Sequence, residues 1–264
     1  MHVGEAAAIF ADYFQNYYQE YGLKCDLPRN KQRGDKAGPA FFTNIINILI
    51  AMNADGYTCD YNPQQLTTIT RNKQPLRTLS RRVDGAFPGA VNPIALWEIK
   101  EYYYSEENFG SRIADSVYET QVDGMELHEL FQNEKIKVKH YLMVDGHNTW
   151  WYKGKSYLCR IVDLLHMGYA DEVLFGREVL ERLPELVTEW VQEAKNRNDQ
   201  SIITNTVAPL TTRVSNRIRR ETTAEKNLRL NQEWVEQYLK NPSQVSGLAE
   251  ATPELNNDIE ESNV

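Results

Sequence analysis

The stretch Val83-Asp84-Gly85, followed by Ile94-Ala95-Leu96-Trp97-Glu98-Ile99-Lys100, decides how this chain is read. From Ile94 onward the residues are apolar apart from Glu98 and Lys100, and they begin directly after Pro93, which is the make-up of a short strand. Strand residues two apart project from the same face, so Glu98 and Lys100 share a surface. Asp84 lies fourteen residues before Glu98, and the intervening segment from Gly85 to Pro93 carries the glycines and prolines of a chain reversal. If the two strands pair, Asp84 meets Glu98.

Two carboxylates at that separation repel unless positive charge stands between them, and a hard divalent cation with oxygen ligands supplies it. Mg²⁺ is the natural choice. It neutralises charge developing on a phosphate and lowers the pKa of a water, while an ammonium such as Lys100 orients the attacking water or steadies the pentavalent state. The chemistry implied is phosphodiester hydrolysis.

These residues resemble the PD-(D/E)xK nuclease superfamily, to which many type II restriction endonucleases belong. Asp84 matches the first acid, Glu98 the second and Lys100 the lysine, with Val83 standing where the motif's name has proline. The resemblance covers Ser80 to Gly146. It implies an α/β fold with a restriction-endonuclease-like core, a mixed central sheet flanked by helices, and additional C-terminal helices. It further implies Mg²⁺ held by Asp84, Glu98 and the carbonyl of Ile99, with Asp84, Glu98 and Lys100 catalytic. The expected substrate is double-stranded DNA, cut as by a type II restriction enzyme, and the expected assembly is a homodimer, since a palindromic duplex presents one face twice. An early helix in such nucleases often adds an acid to the metal site, and Glu5 or Glu20 could do so here.

An acid-x-Lys triplet is short, and Glu193-Ala194-Lys195 also fits it. That second triplet lies in a stretch with helical apolar spacing, so context separates the two. The plain alternative for Glu98 and Lys100 is a same-face ion pair of small energetic consequence. Three other functions stay open: a repair, RNA-directed or anti-phage effector nuclease, a nucleic-acid-binding protein that cleaves nothing, and an unrelated structural or interaction protein.

The net charge of −8 argues against a nucleic-acid partner only until its distribution is considered. The tail from Glu250 holds acids and no Lys or Arg, which leaves the body nearly balanced. Arg71, Lys73, Arg77, Arg81 and Arg82 occupy a twelve-residue window without an acid, directly before Asp84. Such a run suits phosphate contacts or a solvated face. A second run, Arg213, Arg217, Arg219 and Arg220, follows Pro209. Tyr118 and Gln121 share a helix face and could line the site beside Lys100 or rest on the sheet.

A hydrophobic share of 41% and 25% charged residues are ordinary for a soluble globular protein. The longest apolar stretch, Phe41 to Met52, is too short and too polar to span a bilayer, so no membrane partner is expected. Three separated cysteines without a C-x-x-C pair favour a reducing cytoplasm over a disulfide framework or zinc site.

The organisation expected is a nuclease core over 1–196 with an N-terminal helical decoration, a helical extension over 197–240 that clasps DNA or dimerises, and an acidic disordered tail over 241–264. Within the core, helices are expected from Glu5 to about Tyr21, from Ala40 to Met52 and from Ser111, as helix cap, to about Gln132. Gln64 to Thr70 reads as a small helix or DNA-facing loop, and Lys139 to Gly146 as a strand. After the Lys153-Gly154-Lys155 turn the remainder of the body reads as helical, over Ser156 to Met167, Arg177 to Lys195 and Ala224 to Leu239, with Asn196 to Thr212 breaking the pattern.

Overall fold

The computed structural model describes residues 1–30, 38–103, 109–197 and 221–242. The Arg213 to Arg220 run and the acidic tail beyond residue 242 lie outside the described residues.

The molecule is a mixed α/β structure with two small sheets. Helices α1 (Val3–Tyr13) and α2 (Phe41–Asn53) precede a hairpin of β1 (Thr68–Arg71) and β2 (Gln74–Thr78). Next come β3 (Gly85–Phe87), β4 (Ala95–Lys100), α3 (Phe109–Glu134), β5 (Lys139–Val144), α4 (Lys155–His166), β6 (Glu172–Phe175), α5 (Glu178–Asn196) and α6 (Thr223–Lys240). The main sheet has the order β3-β4-β5-β6, with β3 antiparallel to β4 and the other neighbours parallel. A parallel sheet must be covered on both faces, and here it is.

One face is packed by α1, α2, α5 and α6 against Phe87, Ala95, Trp97, Tyr141, Met143 and Leu174. The other is packed by α3 and α4 against Ala86, Leu96, Leu142 and Val144. Alternation along β4 follows: Ala95 and Trp97 enter the first layer, Leu96 the second. Glu98 and Lys100, in step with Leu96, therefore face α3.

Trp190 of α5 anchors the first layer. Its indole stacks on Trp97 at 5.6 Å and 9°, packs on Phe87 at 5.8 Å and donates to the Tyr141 hydroxyl at 3.1 Å. On β3, Gly85 lies opposite Trp97, and a Cβ there would fall 2.0 Å from the indole, so only glycine lets the indole cross the strand.

The expected helices near the N-terminus, after Ala40 and before Lys195 are all present, and the expected strands around Trp97 and Leu142 pair in parallel register. Three readings are corrected. Gln64 to Thr70 leads into the β1–β2 hairpin, whose two-residue turn Asn72-Lys73 has positive φ at both positions, the twist such hairpins need. The segment after the Lys153 turn is not all helical, because Glu172 to Phe175 adds a fourth strand, its ends set by Gly168 and Gly176 at positive φ. Ser111 does not cap α3, which begins at Phe109. The C-terminal helix α6 packs on the first layer: Trp234 packs on Phe10 and Phe41, Val235 joins the core, and buried Asn231 accepts from Arg29 and donates to the Leu27 carbonyl.

Truncating Trp190 to Ala removes this indole from between two layers. We expect a loss of about 3 to 5 kcal/mol of stability, read as a lowered midpoint in urea.

Candidate active site

The antiparallel register pairs Gly85 with Trp97, Ala86 with Leu96 and Phe87 with Ala95, and its continuation sets Asp84 directly opposite Glu98. Asp84 Oδ2 accepts the Ile99 N–H at 2.8 Å, which fixes its side chain at the end of the pairing. Glu98 has no solvent exposure. Its Oε2 accepts from Lys100 Nζ at 2.9 Å, as expected for two residues on one strand face.

Two further partners come from outside the sheet pair. Arg81 forks onto Glu98, Nη1 to Oε1 at 2.9 Å and Nη2 to Oε2 at 3.2 Å. From α3, Glu119 accepts Lys100 Nζ at 2.7 Å and lies 3.4 Å from Arg81, while buried Asp123 accepts Arg81 Nη1 at 2.5 Å. The result is a network of three acids and two cations, with Asp84 at its edge. Glu119 and Asp123 escaped the sequence reading. Their four-residue spacing on one helix face, opposite an acid-free run of arginines, was the available signal.

Burial alone would raise the pKa of Glu98, but Lys100 and then Arg81 outweigh it and hold the group below the ordinary carboxylate range. Asp84 goes the other way: burial, then the charge of Glu98, push it up to about 6. Burial also pushes Asp123 up to about 7, against the pull of Arg81. Lys100 is raised, since Glu98 and Asp84 overcome its desolvation, so it is an ammonium at neutral pH.

Among the described residues no group of three or more His, Cys, Asp or Glu is arranged to hold a metal ion. Two carboxylates and a backbone carbonyl nevertheless suit Mg²⁺, which retains several waters and commonly uses one or two acids. As placed, however, both oxygens of Glu98 are bonded by Arg81 and Lys100, so the two acids offer the ion no open carboxylate pair. Asp84 and Ile99 also line a cleft of about 640 Å³ that runs to Tyr61, Asn62 and the first turn of α6.

Other sequence candidates are placed elsewhere. Glu5 pairs with Arg177 at the start of α1, and Glu20 is exposed in the turn that ends the first helical segment, so neither supplies an extra acid. Tyr118 points outward, 48% exposed, with its hydroxyl accepting from Arg160, and neither it nor Gln121 enters the network. The cation run is neutralised in place: Arg71 bonds Glu134, Arg77 pairs with Glu129 and Glu126, and Arg81 is committed to the network. Acids absent from the local sequence come from α3. Lys73 at the hairpin tip and Arg82, which donates to Gln64, remain exposed.

Residues 1–190 match a family described as a domain of unknown function, DUF7687. The chain belongs to that family. The matched DUF7687 region spans Asp84, Glu98, Lys100, Arg81, Glu119 and Asp123, and ends within α5, so α6 lies beyond it. No curated protein and no solved structure matches the chain. No helix among the described residues is long and apolar enough to cross a membrane.

Two expected outcomes follow from this geometry. Gly85→Ala, by forcing Trp97 and β3 apart, should separate Asp84 from Glu98 and lower thermal stability; an unchanged melting temperature would contradict the close approach. The second concerns pH. Asp84 and Asp145, both raised to about 6, and Asp123 and Glu101, both raised to about 7, take up protons more readily folded than unfolded. Their contribution to stability is present below the ordinary carboxylate pKa and is lost as pH rises through about 6 to 7. The urea midpoint in metal-free buffer should therefore fall between pH 5 and pH 8, and a flat or rising profile is the opposing result.

Proposed function

We propose that this chain is a Mg²⁺-dependent endonuclease that hydrolyses phosphodiester bonds in double-stranded DNA, with a restriction-endonuclease-like core. The observation that carries the reading is the position of Asp84, directly before β3 and bonded to the Ile99 N–H, beside Glu98 and Lys100, which share a strand face and bond each other. The sheet order and the helices on both faces are compatible with it. Asp84, Glu98 and the Ile99 carbonyl would hold Mg²⁺, which supplies charge neutralisation at the phosphate and polarisation of a water. Lys100, kept protonated by the surrounding acids, stabilises the extra negative charge of the pentavalent phosphorus. Asp84 lines the cleft through which a strand would enter. Lys73 and Arg82 are the cations left to meet phosphates, and a homodimer would present the site twice to a palindromic target.

A second reading, nucleic-acid binding without cleavage, draws on one observation: both oxygens of Glu98 are already taken by Arg81 and Lys100. One experiment separates the two. Supercoiled plasmid is incubated with the purified full chain in Mg²⁺, then in EDTA. We expect cutting in Mg²⁺ alone, and a loss of at least about 100-fold in Glu98→Ala and Lys100→Ala. Discrete fragments favour a restriction enzyme, a smear favours a repair or effector nuclease, and a mobility shift without cutting favours the binding reading. Cleavage that survives in Glu98→Ala would refute the assignment.

A further inference from the structure

The cleft beside Asp84 carries charge of one sign. At about 640 Å³ it is large enough for a small organic molecule, and no Lys, Arg or His stands among its described lining residues. Three acids do: Asp26, Asp84 and Glu225. Glu225 is committed as the cap of α6, where it accepts the Thr222 N–H at 2.8 Å and the Thr222 hydroxyl at 2.9 Å. The other two acids keep free oxygens. The Asp26 carboxylate is exposed and is bonded by no described residue, although the Asp26 backbone carbonyl accepts from Asn47 at 2.8 Å. Asp84 is largely buried and uses only Oδ2, on the Ile99 N–H at 2.8 Å, so that Oδ1 has no partner among the described residues. Lys100 and Arg81, which offset part of the Asp84 charge, do not line the cleft and are committed to Glu98, Glu119 and Asp123.

The walls between these acids select among cations. Tyr18 and Tyr61 bring rings, and Leu27 and Leu228 bring apolar surface. Burial, followed by neighbouring charges that include Asp26, pushes both tyrosine hydroxyls up, so the rings stay neutral phenols. A hard metal ion needs several oxygens converging at short range, and no group of three or more His, Cys, Asp or Glu among the described residues is arranged that way. An alkylammonium needs less. Each amine is satisfied by one carboxylate, while the methylenes between amines lie well on rings and aliphatic side chains.

We propose that this cleft is a binding site for an organic polycation, either a free alkyl polyamine or the ammonium side chains of a basic peptide, held between Asp26 and Asp84. One amine pairs with Asp26 where the cleft meets solvent, a second reaches Oδ1 of Asp84, and the chain between them rests on the tyrosine rings. The site goes beyond the cleavage reading and does not need it. Where a strand does approach Asp84, the same amines offset the repulsion that the two acids set against its phosphates.

The test is calorimetry on the full chain without DNA or divalent metal, at low salt, with spermidine in one titration and a tri-lysine peptide in another. A single saturable site is expected, and whichever cation binds more tightly identifies the source of the amines. Asp26→Asn should weaken binding about fivefold. Ala224→Lys places an ammonium of the chain's own in the wall of the cleft and should weaken it about tenfold. Both positions are exposed, and circular dichroism checks that the variants stay folded. Glu181→Gln removes the same charge from an exposed position on α5 outside the cleft and should leave the affinity unchanged. Equal weakening by Glu181→Gln marks diffuse surface attraction and overturns the site. Absence of saturable binding, or wild-type affinity in Asp26→Asn, also overturns it. None of these results depends on cleavage, which the plasmid assay reads separately.

Discussion

Glu98 is a carboxylate with no exposure, set in the middle of a β-sheet, and the surrounding structure is arranged to keep it charged. Isolated, it would cost several kcal/mol or be protonated. Lys100 reaches it along the same strand and Arg81 reaches it from the loop before β3, so the carboxylate stays ionised. Those two cations need acids of their own, and α3 supplies Glu119 and Asp123. The seating of α3 on this face of the sheet is thus tied to charge as well as to Ile113, Val117, Leu127 and Leu130. Breaking one member of such a network leaves the others uncompensated, which is why its energetics are collective.

The same helix explains the quiet surface around the hairpin. Arginines that look available in the sequence are met by Glu126, Glu129 and Glu134 on the C-terminal part of α3. These outer pairs are partly exposed and individually weak, so they register the hairpin against the helix more than they stabilise it. The inner pairs, out of water, are the consequential ones. A gradient from exposed to buried ion pairs runs from Arg71 toward Glu98.

Much of the architecture is legible in the sequence because period and punctuation are local signals. The apolar intervals of Val179 to Val191 give α5, the run from Phe41 gives α2, and Pro93 with the alternation around Trp97 gives β4. The short strand Glu172 to Phe175 was not legible, since four residues between glycines carry too little pattern to stand out from flanking helices. The hairpin was missed for a related reason: Asn72-Lys73 adopts a conformation usually signalled by glycine at the second position. The packing partner of α6 was not legible, because an amphipathic stripe does not say which apolar surface it will meet.

At the candidate site, the sequence by itself determined the pair Glu98 and Lys100, because a two-residue period places them on one face whatever the rest of the chain does, and it determined that a reversal could return Asp84 to them. Only the tertiary structure decided that Gly85 lies against Trp97 and so fixes the register that aligns Asp84 with Glu98. Only the tertiary structure brought Arg81, Glu119 and Asp123 to the same point, across separations of 17 and 42 residues for the bonds Arg81 makes to Glu98 and Asp123. Strand periodicity is a property of neighbouring residues, whereas charge compensation in a core is met by whichever helix packs there, and that choice is made by the fold as a whole.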